Sequence, residues 1–118
     1  MVNAEELRKR TKQFAVGIVK LFRSLPRTTD AQVLGKQMMR SGTSVAANYR
    51  AACRGRSRPE FIAKLGVVVE EADETIFWLE MFVDCGILPE RAVAELLKEA
   101  RELCAIFSAS QHTARARQ

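Results

Sequence analysis

The sequence predicts an all-α protein, an antiparallel up-and-down four-helix bundle, and three observations carry that expectation. Apolar residues recur every three or four positions over four long segments, and no run alternates apolar and polar as a strand would. Three prolines and six glycines punctuate 118 residues, so the elements are few and long. The connections between periodic segments span a few residues each, which favours antiparallel neighbours. The length suits one domain with one core, expected over residues 1–112 with a short polar tail at 113–118.

The first helix is expected from about Asn3 to Ser24, with Leu7, Phe14, Ile18, Leu21, Phe22 and Leu25 on one face. Leu25-Pro26 ends it, because a residue before proline is pushed out of the α region. Thr28, Thr29 and Asp30 offer N-cap oxygens for the second helix, which runs to Cys53 or Arg54 and stops at the glycine of "RGRS". Ser57-Arg58-Pro59-Glu60 is a capping box with proline in the first turn, so a third helix starts there. Its stripe is Phe61, Leu65, Val68, Ala72, Ile76, Leu79 and Val83, closed by Cys85-Gly86. Ile87-Leu88-Pro89-Glu90 opens the fourth, with Val93, Leu96, Leu97, Ala100, Leu103, Cys104 and Phe107 inward, and beyond Ser108 a frayed end is expected.

Charge is divided along the chain. Residues 1–64 carry fourteen Lys/Arg against four Asp/Glu, and residues 65–118 carry five against ten, within a net charge of +5. The second helix separates into three lines. Leu34, Met38, Gly42, Val45, Tyr49 and Cys53 form the core seam. Gln37, Ser41, Ser44, Asn48 and Ala51 form a small polar line that lets another helix come close, and Asn48 is expected to bond a neighbouring helix or a partner chain. Lys36, Arg40, Thr43, Ala47, Arg50 and Arg54 form a basic line. Arg56 and Arg58 in the following turn, and Lys64, extend it into a candidate nucleic-acid surface, because guanidinium groups bind phosphate bidentately. Without interleaved aromatics such binding would be electrostatic and weakly sequence-specific. The competing expectation is that these bases neutralise "EEADE", Glu70, Glu71, Asp73 and Glu74, as ion pairs within a protein-interaction scaffold.

Catalytic and metal sites are not expected. A single His112 rules out a multi-histidine site within one chain, and no E-x-x-H pair of a di-metal bundle occurs. No nucleophile with a base, glycine-rich phosphate cradle or oxyanion hole stands near the carboxylates, so no enzyme activity and no cofactor are expected. Cys53, Cys85 and Cys104 lack metal spacing and suggest free buried thiols. "MVNAEELRKR" has no apolar signal region and no segment is long and apolar enough for a bilayer, so a cytoplasmic protein without membrane contact is expected.

The pattern Q-x-x-R-S-x-x-S-V-x-x-N, met by Gln37, Arg40, Ser41, Ser44, Val45 and Asn48, precedes a basic turn and Ser57-x-x-Glu60-Phe61. Together with "EFIAKLG" and "EEADETIFWLE", it resembles the bacterial four helix bundle proteins, which include those encoded in intervening sequences of large-subunit ribosomal RNA genes. The resemblance covers roughly residues 10 to 107. It implies a bundle that assembles as a ring-like homopentamer, and it is also similar to the basic accessory protein of diversity-generating retroelements, which implies RNA or DNA and a reverse transcriptase as partners. Many family members have Asn-Ile-Ala-Glu-Gly where this chain has Asn48-Tyr49-Arg50-Ala51-Ala52, a more basic surface. Gln37, Ser41, Ser44 and Asn48, with the Trp78/Met81 edge, are the candidate packing or subunit-interface residues.

Overall fold

Asn3 starts the first helix as the sequence requires: its side-chain oxygen accepts from the Glu6 amide at 2.9 Å, and Glu5 and Glu6 sit at the positive end of the helix dipole. In the computed structural model, which describes residues 3–117, four helices follow in order: α1 (Ala4–Arg23), α2 (Thr29–Cys53), α3 (Arg58–Asp84) and α4 (Glu90–Ala116). Each packs on its neighbour in sequence, and α4 returns to α1 more loosely. The outcome is an all-α up-and-down bundle measuring 47 × 21 × 20 Å.

The α2–α3 turn follows its capping box with one difference. Ser57 Oγ accepts from the Glu60 amide, but the Glu60 carboxylate reaches past the cap to accept from the Arg56 amide at 2.7 Å. Gly55 is not left-handed; the residue with positive φ is Gly86, whose φ of 71° closes α3 while Ile87 and Leu88 amides donate back to the Phe82 carbonyl. Gly55 is needed for proximity instead, since a Cβ there would lie 3.1 Å from the Ala52 carbonyl oxygen.

The core holds Phe14, Ile18, Met38, Val45, Leu65, Val68, Leu79, Phe82, Leu103 and Phe107, all buried, and Tyr49 stacks obliquely on Phe107 at 4.8 Å. On α3 the fully buried residue near the C-terminus is Phe82, and Val83, expected in the inward stripe, is half-exposed. Two side chains in the small polar line behave differently. Ser41 is buried and its hydroxyl accepts from Thr75 of α3 at 2.8 Å, the cross-helix bond expected of this line. Asn48, expected to reach a neighbouring helix or a partner chain, donates to the Ser44 carbonyl one turn back at 2.9 Å, a bond within α2 itself.

Two further expectations give way to packing. Residues 113–116 are helical: α4 continues to Ala116 because Ala114 is buried against the bundle, one turn beyond Gln111, which lies against Gly66 of α3. The cysteines are free thiols, but Cys85, expected to be buried, is exposed in the α3–α4 turn, while Cys53 and Cys104 are half-buried. No described helix is long and apolar enough to cross a membrane.

Candidate nucleic-acid interface

The antiparallel register of α1 and α2 assembles the site. Gly42 lies against Ile18, and Gly35 against Leu25, since a Cβ on either glycine would meet those side chains at 2.8 Å and 2.5 Å respectively. The register that sets Ile18 against Gly42 carries Arg8 and Lys12 to the level of residues 52 and 48 on α2. There the two bases of α1 face Arg50 and Arg54, and the four line an open groove of about 730 Å³ whose floor is made by Ala46 and Ala47. Two alanines where larger residues would fill the seam leave the depression open. Thr43 and Cys53 complete the lining, which contains no carboxylate and no aromatic ring.

These four cations are free of ion pairs among the described residues. The bases that do form them are Arg10, with Glu99 and Glu102; Arg40, with Glu71 and Glu74; and Arg101, with Glu80. Glu5 and Glu6 border a second, shallower depression on the other side of Arg8 and Lys12. Tyr49, behind the groove, is buried, and that burial pushes its phenol up, so it stays neutral beside Arg8.

Of the seven bases singled out by sequence, Arg50 and Arg54 stand in this groove, and Arg56 and Arg58 are exposed at the adjoining α2–α3 turn. Lys36 is exposed four turns from Arg50, about 20 Å along the helix. Lys64 is half-buried on α3. Arg40 is committed elsewhere: it bridges Glu71 at 3.1 Å and also bonds Glu74, clamping α2 to α3. The structure thus gives Arg40 an ion pair, while Arg50 and Arg54 form none among the described residues. Arg8 and Lys12 were not among the expected site residues. They belong to another helix, and the signal that could have found them was the basic run Arg8–Lys12 after the acidic first turn of α1, combined with the hairpin register.

The candidate interface residues lie along the α2–α3 side. Gln37 is exposed, Ser44 and Asn48 are half-buried, and Trp78 and Met81 are half-buried at the outer edge of α3. Trp78 packs edge-on against Phe77, which is 50% exposed, and its indole donates to Glu74 at 3.1 Å. That bond first, and Arg40 second, hold the Glu74 carboxyl below the usual carboxylate range.

A depressed carboxyl stabilises the fold above its unfolded pKa of about 4.3, and the contribution is lost as pH falls through the lower folded value. The stability difference between the wild type and Glu74→Gln is therefore largest near neutrality and vanishes in acid. Trp78 is the single tryptophan, so its emission should shift in the same acid range. A gap constant from about pH 7 to pH 3, with no change in emission, would show that the contact is not formed.

No curated protein matches the chain. The family model described as 23S rRNA-intervening sequence protein matches residues 5–109. A solved structure from Bacteroides thetaiotaomicron, described as a protein with unknown function from the S23 ribosomal protein family, is 31% identical. That match covers 89% of this chain and 97% of the other, with a TM-score of 0.83. With the helices that build the groove inside the matched span, the chain belongs to the 23S rRNA-intervening sequence protein family.

Proposed function

We propose that this protein is a non-enzymatic, self-associating helical bundle that binds nucleic acid, RNA in particular, through the α1/α2 groove. One observation carries the proposal: Arg8, Lys12, Arg50 and Arg54 converge from two helices on a single groove with no carboxylate to neutralise them. Holding four like charges together is unfavourable, and a polyanion relieves it by releasing its own counterions. The absence of aromatic side chains from the lining favours phosphate contact over base stacking. Arg56 and Arg58, exposed at the same end of the bundle, extend the surface.

Self-association is supported by α3, which leaves Val67 and Phe77 exposed, with Trp78 and Met81 half-buried. A closed ring, the homopentamer of the resemblance, would cover this edge and repeat the groove around the assembly, adding avidity. Sedimentation gives the mass directly, and a monomer at micromolar concentration refutes this component.

The binding test is a titration of tag-free protein against mixed-sequence RNA and duplex DNA across a salt series. Four phosphate contacts per groove give a slope of log K against log salt of roughly −3 for a single strand. Binding with that slope, tighter for RNA, supports the proposal. No binding at low salt, or binding indifferent to salt, overturns it and leaves a scaffold whose bases serve ion pairs such as that of Arg40.

A further inference from the structure

The four groove cations form a compact figure instead of a row. Arg8 and Lys12 stand one turn apart on α1, and Arg50 and Arg54 stand one turn apart on α2, each pair separated by about 6 Å of helix rise. Toward the α1–α2 turn the next residues on the groove side are Ala15 and Val19 on α1 and Thr43 and Met39 on α2, and Arg40 beyond them is paired with Glu71 and Glu74, so the unpaired charge of the groove stops at that end and is continued only at the other, by Arg56 and Arg58. An extended strand carries one charge per phosphate and is best matched by cations that continue along a track. A short track with four cations facing inward matches a polyanion whose charges are equally concentrated.

We infer that the α1/α2 groove is a site for a compact polyphosphate, a run of three linked phosphoryl groups, as carried by the 5′ end of a primary RNA transcript or by a free nucleoside triphosphate. This inference rests on the proposal that the groove takes phosphate, and it names the form of phosphate. The open groove, of about 730 Å³, has room for a triphosphate. Arginine forks bind adjacent phosphoryl oxygens bidentately, and three of the four cations are arginines. The groove holds no carboxylate, so its own side chains offer no anionic ligand to a magnesium ion on the triphosphate. The form bound best is then the metal-free one. The small floor of Ala46 and Ala47 and the lack of an aromatic wall leave the attached nucleoside unread.

The test compares the intact protein's affinity for one RNA of fixed sequence carrying a 5′-triphosphate or a 5′-hydroxyl, with ATP and inorganic triphosphate as competitors. The triphosphate end should bind at least about tenfold tighter, inorganic triphosphate should displace it, and excess magnesium should weaken it. Arg8→Ala, checked for fold by circular dichroism, should shrink the difference between the two ends more than it lowers affinity for the hydroxyl-ended RNA. ATP competing as strongly as the triphosphate-ended RNA identifies the free nucleotide as the source; ATP competing weakly identifies the RNA end. Equal affinity for both ends, with salt dependence intact, overturns this inference and leaves the phosphate surface standing. Binding of neither RNA nor inorganic triphosphate overturns both.

Discussion

Arg50→Glu combined with Arg54→Glu removes RNA retention at physiological salt, an expected loss of about a hundredfold or more, while helix content and thermal stability stay near those of the wild type. Both side chains are exposed and neither forms an ion pair among the described residues, so their loss removes no contact that holds the bundle together. The reversal does more than delete two phosphate contacts. It places two carboxylates opposite Arg8 and Lys12, which then neutralise one another across the groove and no longer release counterions from an RNA. Arg40→Ala is the informative contrast. It breaks the bridge to Glu71 and Glu74, so it should lower the melting temperature and leave the salt slope unchanged. Opposite results, an intact slope in the double reversal and a lost one in Arg40→Ala, would move the binding surface to the α2–α3 side.

That contrast also marks what the sequence alone could resolve. Arg40, Arg50 and Arg54 share one line of α2, and local periodicity treats them alike. They part company because Arg40 falls opposite Glu71 and Glu74 of α3, whereas Arg50 and Arg54 stand beside Arg8 and Lys12 of α1. Which neighbour meets which residue is a matter of tertiary register, and no helical wheel contains it. Local signals fared better. The Ser57 cap, the start of α1 near Asn3 and the inward stripes of α1 and α4 depend on residues a turn apart, and the structure places them as expected. Asn48 shows a related limit: its amide can bond back to its own helix as well as across to another helix or a partner chain, and the choice depends on where the neighbouring backbone lies. The last turns of α4 were illegible because small residues such as Ala114 carry little hydrophobic signal, although Ala114 is buried in the bundle.

The closeness of α1 and α2 on which the groove depends is set at Gly42, and there a pair of substitutions should reverse sign. Ile18 is completely buried, and Ile18→Ala is expected to cost about 2–5 kcal/mol by lost burial and the cavity left behind. Gly42→Ala alone improves helix propensity by about 1 kcal/mol. It also places a methyl group 2.8 Å and 2.9 Å from the two γ carbons of Ile18 and 3.2 Å from its β carbon. Contacts to atoms so near the backbone cannot be relieved by a rotamer change, so α1 must shift, at a cost of about 1–3 kcal/mol. Overpacking wins over propensity, and Gly42→Ala should destabilise the wild type. In the Ile18→Ala background both γ carbons are gone, the new methyl fills part of the cavity, and the same substitution should stabilise. Denaturant unfolding of the four proteins of this cycle measures the reversal. Since Arg8 and Lys12 ride on α1, RNA affinity should fall in Gly42→Ala and return toward the wild-type value in the double variant. A Gly42→Ala effect of the same sign and size in both backgrounds would mean that Ile18 does not set the α1/α2 distance, and with it the width of the groove.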